Sequence, residues 1–147
     1  MRILYCSQDY SPHDHRFLSA LATTHHQIYW LRLEDQKRHL ELRALPEKIN
    51  KVIWRNRDGK VCWWQYPDLK KKFQKIIRQI KPDLIHAGPI QTVSILPAML
   101  SFHPLVSMSW GFDMLQDAER NQLWKWGTKY VLRRTDRLFC DCQIVIN

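Results

Sequence analysis

Three short polar segments combine residue types that can bind and orient a polar ligand. The first is Ser11-Pro12-His13-Asp14, which comes shortly after the apolar run RILYC. Serine followed three residues later by aspartate is a helix-start pattern, and proline suits the first turn. Capping therefore accounts for Ser11 and Asp14. His13 is not needed for the cap, so it is a candidate for contact with a phosphate or a sugar hydroxyl at the helix N-terminus.

The second segment is His86-Ala87-Gly88-Pro89, at the end of the apolar run PDLI. A histidine at the mouth of a buried strand has two interpretations. It is a core histidine with its hydrogen bonds satisfied, or it is a partner for a sugar hydroxyl or a phosphate oxygen. Gly88 would let a ligand come close to the backbone.

The third segment is Ser109-Trp110-Gly111-Phe112-Asp113. A large aromatic ring and a carboxylate suit sugars, which offer apolar faces and many hydroxyl donors. Capping of a following helix is the alternative role for Asp113.

Alternating strand and helix patterns must position these segments. Strands are predicted over 2–7, 27–33, 82–88, 104–111 and 137–142, and helices over 12–24, 67–80, 91–102 and 117–135. The segment 51–66 resembles a hairpin, or two short strands, around Arg57-Asp58-Gly59. Two helices have predicted buried stripes, which are Leu69, Phe73, Ile76, Ile77 and Ile80 in the first and Leu123, Trp126, Gly127, Tyr130 and Val131 in the second.

This order predicts an α/β fold, a doubly wound and mostly parallel Rossmann-like sheet with helices on both faces. The whole chain of 147 residues is predicted to form one such domain. Ligands of these sheets bind at the carboxyl ends of the strands. We therefore expect the chemistry in 7–16, 86–91, 109–114 and 141–143.

The charge is strongly positive, with 23 Lys and Arg against 14 Asp and Glu and a net charge of +9. Eleven of the cations lie within 47–81, and a second basic set runs over 120–137. Such a field attracts phosphates on nucleic acid, lipid head groups or a sugar donor, although a solvated surface is the simpler interpretation.

The cysteines and the apolar centre of the chain indicate neither a metal site nor a membrane span. Cys6, Cys62, Cys140 and Cys142 lack zinc-ligand spacing, so we expect buried structural thiols. The segment 84–112 has no charged residue, but three prolines interrupt it, so it reads as a strand, a helix and a strand. With no secretory signal at the start, a cytoplasmic location is expected.

The three segments, in their order and spacing, resemble the N-terminal domain of a GT-B fold retaining glycosyltransferase of the family 4-like group. The resemblance is carried by RILYCSQDYSPHDHRFLSAL, IKPDLIHAGP, LVSMSWGFDML and YVLRRTDRLFCDCQIV, and it covers essentially all of the chain. It implies the acceptor-side half of an enzyme that transfers a sugar from a nucleotide-sugar donor to a glycan or lipid-linked acceptor. The resemblance implies that a C-terminal domain, expected to be absent from this chain, would bind most of the donor, so the chain alone is expected to be inactive. No cofactor or divalent metal is implied.

Carried onto this sequence, the resemblance implies specific roles. His86 matches the family histidine near the transferred sugar, and Asp113 completes a strand-end G-x-D beside the acceptor; both are candidate catalytic residues. The candidate substrate-binding residues are Ser11, His13, Asp14, Gly88, Trp110 and Gly111.

Two further hypotheses follow from the charge. One is docking of the basic patches on an anionic membrane, close to a lipid-linked acceptor. The other is a basic nucleic-acid-binding module without enzymatic activity, supported by the charge and the seven tryptophans. The tryptophans form no repeated motif, so no nucleic-acid partner is expected.

Overall fold

The computed structural model describes residues 1–34, 41–54 and 60–140. The strands are β1 (Arg2–Ser7), β2 (Gln27–Arg32), β3 (Ile49–Val52), β4 (Leu84–Gly88), β5 (Leu105–Ser109) and β6 (Arg137–Cys140). The helices are α1 (Pro12–Ala22), α2 (Tyr66–Ile80), α3 (Ile95–Met99), α4 (Phe112–Leu115) and α5 (Gln122–Leu132). Short helical turns at Trp63–Gln65, Ile90–Ser94 and Asp117–Glu119 precede α2, α3 and α5.

The six strands form one parallel sheet in the order β3-β2-β1-β4-β5-β6. The chain first winds outward from β1 to β3 and then crosses back to β4 on the other side of β1. The order of winding therefore reverses between β1 and β4, which is where a doubly wound sheet opens a crevice for ligands. The predicted fold class is confirmed.

Alternate residues of the central strands feed two separate cores, because successive side chains of a strand point to opposite faces. On one face, Tyr5 packs with Leu18 of α1. On the other, Leu4 belongs to a core with Phe73 of α2 and Val131 of α5. The sheet therefore has α1 on one side and a layer of α2, α3 and α5 on the other.

The ends of α1 and α2 follow directly from their sequences. Ser11 is the N-cap of α1 and forms a capping box with Asp14. The stripe predicted for α2 faces the core: Leu69, Phe73 and Ile76 are buried, and Ile77 and Ile80 are partly buried against the same core. The helix ends at Lys81, which has a left-handed conformation with φ of 52° and precedes Pro82.

The predicted hairpin over 51–66 is wrong where the structure describes it. Ile49–Val52 is a single strand at the sheet edge, parallel to β2, and the tryptophans of Trp63–Gln65 are in a helical turn that leads into α2. The proposed turn residues 57–59 lie outside the described residues. The prediction was wrong because these aromatic residues have a high β propensity, whereas in the structure they lie in the turn before α2 and not in a β-ladder.

The long helix predicted over 117–135 is also shorter, and its buried side is turned away from part of the predicted stripe. Gly127 and Val131 are buried as predicted, and Tyr130 is partly buried against the core. The helix begins at Gln122, where the Asn121 side chain caps it, and it buries Gly127, Thr128 and Val131. Leu123 is 68% exposed and Trp126 is 58% exposed. The spacing of apolar residues does not reveal which side of a helix packs on the sheet when the packed side includes a glycine and a threonine.

The described cysteines differ in their burial. Cys6 is fully buried, as expected of a structural thiol, and burial raises its pKa well above the ordinary range. Cys62 and Cys140 are only partly buried, and Cys142 lies outside the described residues. Among the described helices, none is long and apolar enough to cross a bilayer.

We expect Val131→Ala to lower the free energy of unfolding by about 2 kcal/mol, because it removes two buried methyl groups and leaves a cavity. Leu123→Ala should change it by less than about 0.5 kcal/mol, because that side chain is mostly in solvent. Urea unfolding of both variants measures the difference. Equal losses would contradict the orientation of α5.

Candidate functional site

The three polar segments meet at the carboxyl edge of the sheet. Ser7 pairs with Gly88 at the ends of β1 and β4, and Ala87 pairs with Ser107 near the end of β5. The segments that follow these three adjacent strands are therefore neighbours, as predicted. The fourth expected segment, 141–143, lies outside the described residues.

Asp14 is fully buried and joins the start of α1 to the sheet. Its carboxylate accepts hydrogen bonds from the Tyr5 hydroxyl at 3.0 Å, the Ser11 hydroxyl at 2.6 Å and the Ser11 backbone N–H at 2.9 Å. Burial raises the pKa of Asp14, and the hydrogen bonds from Ser11 and Tyr5 oppose that shift. The cap predicted for Ser11 and Asp14 is present, and it occupies both side chains.

His13 projects from the first turn of α1 and is exposed. Its ring centroid lies 6.0 Å from that of Trp110, at an interplanar angle of 39°. Two candidates from segments almost a hundred residues apart thus lie side by side. The Trp110 indole Nε1 is buried and has no hydrogen-bond partner in the described part of the protein.

Gly88 is a glycine because the neighbouring strand comes so close. A Cβ at this position would lie 2.6 Å from the Met108 carbonyl oxygen and 3.2 Å from Trp110 Nε1. The close approach expected at Gly88 is therefore made by the protein itself. A larger residue at Gly88 would therefore collide with the backbone of β5 and with the Trp110 ring.

Gly111 and Asp113 shape the turn after β5. Gly111 has φ of +85°, a conformation that disfavours other residues. Asp113 is fully buried, and its carboxylate accepts from the Ser109 hydroxyl at 2.7 Å and from the backbone N–H of Trp110 at 3.0 Å. It also accepts from the N–H of Met114 at 3.1 Å and, across to the segment after β4, from that of Ile90 at 3.0 Å.

Two residues of this network were not identified as site residues from the sequence. The Gln91 amide donates to the Asp113 carbonyl oxygen at 2.6 Å and to the Thr128 hydroxyl at 2.8 Å. The Thr128 hydroxyl in turn donates to the Trp124 carbonyl within α5. In the sequence, Gln91 and Thr128 stand out as polar residues within helical segments that are otherwise apolar, and this pattern could have indicated their role.

His86 lies on the α1 side of the sheet, two residues before the end of β4. Its ring contacts Tyr5 and Phe17 edge to face, with centroids 5.1 and 6.0 Å away. Nε2 is buried and has no partner among the described residues. Burial lowers the pKa of His86 to about 4, so the imidazole is neutral at pH 7.

An open groove of about 460 Å³ borders His13 on the surface of α1. Its lining is rich in cationic and imidazole side chains and consists of Pro12, His13, His15, Arg16, Ser19 and Arg43. Tyr10 holds His15 in place through a 2.9 Å contact between its hydroxyl and Nδ1. Glu41 pairs with Arg43 at 2.7 Å, and this guanidinium lowers the pKa of Glu41 to about 2.

Asp113→Asn should lower the free energy of unfolding by about 3 kcal/mol, because the amide group turns a donor toward buried N–H groups. Asp68→Asn is the matched control. Among the described residues, the ion pair recorded for Asp68 is an exposed one with Lys72, so its loss should cost less than about 1 kcal/mol. Chemical unfolding at pH 7 tests both, and an Asp113→Asn protein of wild-type stability would rule out the structural role.

The lowered pKa of His86 predicts a stability that falls with acidity. The unfolded chain binds a proton near pH 6.5 and the folded chain only near pH 4, so protons favour unfolding between these values. Between pH 7 and pH 5 this group should account for a loss of about 2 kcal/mol. Unfolding of wild type and His86→Phe at both pH values isolates the contribution, which should vanish in the variant. An unchanged pH dependence would show that His86 is not the group responsible.

Comparison with known proteins gives one clear result. A family model described as "Glycosyl transferase 4-like" matches residues 2–142. Searches of curated proteins and of solved structures returned no match. The family match spans all six strands and every segment of the carboxyl edge described above, and the chain therefore belongs to the glycosyl transferase 4-like family.

Proposed function

We propose that this domain forms the acceptor side of a glycosyltransferase, which transfers a sugar from a nucleotide-sugar donor to a glycan or lipid-linked acceptor. The observation that carries the proposal is the pairing of His13 with Trp110 at the carboxyl edge, where the winding of the sheet reverses. It is the one place among the described residues where an exposed imidazole and an indole from separate strand ends adjoin.

The chemistry of this pair suits a sugar. An indole ring packs against the apolar face of a pyranose, and His13 can exchange hydrogen bonds with its hydroxyls. The Trp110 Nε1 atom is buried beside Gly88, so the proposal assigns the ring face of Trp110, and not its N–H group, to the sugar. In the proposal, Ser11, Asp14 and Gly111 contribute by fixing the two turns from which His13 and Trp110 project.

His86 and Asp113 enter the proposal as residues that hold the site in shape. The Asp113 carboxylate already accepts four hydrogen bonds, and the His86 ring lies between Tyr5 and Phe17. Buried groups of this kind fix the position of residues that touch a ligand. Direct catalytic roles for His86 and Asp113 stay predictions.

The groove beside His13 is the proposed place for a phosphate-bearing part of a substrate. Arg16 is exposed there, and the imidazoles of His13 and His15 line the same wall. Cationic and imidazole donors bind phosphate oxygens strongly. The donor diphosphate would be held mainly by a second, nucleotide-sugar-binding domain facing this edge.

Binding of simple glycosides to the chain tests the acceptor side. Saturation-transfer NMR with octyl glucoside, galactoside and mannoside below their micellar concentrations should detect at least one binder. His13→Ala should weaken that binding about tenfold through the loss of a hydrogen bond and a ring contact. His26→Ala is the matched control, because His26 is exposed at the opposite edge of the sheet, before β2. Equal effects of both changes would overturn the proposed site.

A separate experiment with UDP-glucose and GDP-mannose tests whether donor binding requires a second domain. The chain alone should bind these donors weakly and release no free nucleotide diphosphate from them, because it offers few partners for the donor. Steady sugar-nucleotide turnover by the 147-residue chain would contradict this.

A further inference from the structure

Two neighbouring tryptophans in the turn that leads into α2 are mostly exposed. Trp63 is 75% exposed and Trp64 is 64% exposed. Their rings stand edge to face, with centroids 5.9 Å apart and planes at 80° to each other. Large apolar side chains grouped on a surface mark a place where a ligand or a partner binds. We call Trp63 and Trp64 the indole pair.

The backbone that carries the indole pair is held by hydrogen bonds on both sides. Before the pair, the Cys62 carbonyl accepts from the Gln65 N–H at 3.0 Å, and the Gln65 side chain accepts from the Cys62 N–H at 2.8 Å. After it, the Tyr66 hydroxyl donates to the Thr92 carbonyl at 2.8 Å. A turn fixed in this way loses little conformational entropy when a ligand binds to it.

The buried carboxylate of Glu34 places this turn at the carboxyl edge of the sheet. Glu34 follows β2, and its backbone N–H donates to the carbonyl of Gln8, just beyond β1, at 2.7 Å. The Glu34 carboxylate accepts from the Gln8 amide at 2.9 Å and from the backbone N–H of Val61 at 2.7 Å. Because Val61 is only two residues before Trp63, the indole pair lies at the same edge as the proposed sugar site.

The indole pair and the proposed sugar site are well separated along this edge. Glu34 follows β2 and Trp110 follows β5, and these strands are three steps apart in the sheet. Neighbouring strands lie about 4.8 Å apart, so the two positions are separated by roughly 15 Å. One sugar on His13 and Trp110 therefore does not reach the indole pair, whereas a chain of sugars along the edge contacts both.

We infer that the indole pair is a second sugar-binding subsite and that the acceptor is an oligosaccharide. The inference rests on the proposed function, since it assigns a distant part of the same acceptor. Indole rings pack on the apolar faces of sugars. Successive sugars rotate about their linkages, so perpendicular rings can each pack on a different sugar. Lys60, exposed beside the turn, adds a donor for hydroxyl groups.

A second copy of the chain is the competing occupant of the indole pair. A symmetric contact through the pair would bring Lys60 of both copies together. Each copy also carries a net charge of +9, so the two copies repel one another. A neutral glycan meets no such repulsion, and these charges therefore favour the glycan.

The dependence of binding on glycan length tests the inference. Hexasaccharides of glucose, galactose and mannose are titrated into the full chain beside the methyl glycoside of the same sugar. At least one hexasaccharide should bind about tenfold more tightly than its methyl glycoside. In NMR spectra, the hexasaccharide should shift the indole N–H signals of Trp63 and Trp64, and the methyl glycoside should shift neither. Equal affinities for both lengths, or unmoved signals of the indole pair, would overturn the inference.

A double variant assigns the effect to the indole pair. Trp63→Ala/Trp64→Ala should lower the hexasaccharide affinity about tenfold and leave the methyl glycoside affinity unchanged. His13→Ala should weaken the binding of both. Trp126→Ala is the matched control, because it removes a 58% exposed indole from a different helix, α5, and it should change neither affinity. Circular dichroism verifies that each variant folds.

The outcomes separate this inference from the proposed function. If no glycan of either length binds, both fail. If the methyl glycoside binds and the double variant keeps the full hexasaccharide affinity, only the second subsite fails. Sedimentation velocity supplies the remaining arm: a concentration-dependent dimer that the double variant loses would assign the indole pair to a second copy and overturn the inference.

Discussion

The buried carboxylate of Asp113 ties together the two strand ends on which the carboxyl edge is built. It reaches from the turn after β5 to the N–H of Ile90 after β4, and it also satisfies two N–H groups of its own turn. A buried charge is tolerable only when it is surrounded by donors, so these backbone positions are set by the need to solvate one carboxylate. Asp14 does the same for the start of α1, with Tyr5 as the link to the sheet. The positions of His13 and Trp110 follow from these two anchors.

The polar side chains that stabilise the carboxyl edge of the sheet differ from the side chains that are exposed at it. Four side chains of the edge form hydrogen bonds with one another and with the backbone: Ser11, Asp14, Ser109 and Asp113. The imidazole of His13 is exposed at this edge, and its ring lies 6.0 Å from that of Trp110. A rigid base of this kind would lower the entropy cost of binding for any ligand at this edge, because few protein groups would still have to be ordered.

The two sides of the sheet also differ in what they present. On one side, α1 covers Tyr5 and His86 and carries the groove beside His13. On the other, the layer of α2, α3 and α5 buries its apolar stripes against the sheet and turns cations and indoles outward. The domain therefore presents a groove on one side of the sheet and a positively charged helical surface on the other.

The sequence determined the elements whose information is local. The Ser11 to Asp14 cap, the stripe of α2 and the alternation that makes a parallel sheet are all properties of neighbouring residues, and all were predicted correctly. Partnership between distant residues was decided only by the tertiary structure. Spacing predicted that Trp126 would be buried together with Gly127 and Val131, but the buried side of α5 includes Thr128 instead, whose hydroxyl accepts a hydrogen bond from Gln91. Likewise, the stretch before α2 has a high β propensity but forms the turn that leads into the helix. Its predicted partner, β3, is a short edge strand that pairs in parallel with β2 and is not part of a hairpin. Two features depend on contacts between residues that are far apart in the chain: the donors that a buried carboxylate binds, and the side of a helix that packs on the sheet. No local sequence pattern encodes such contacts.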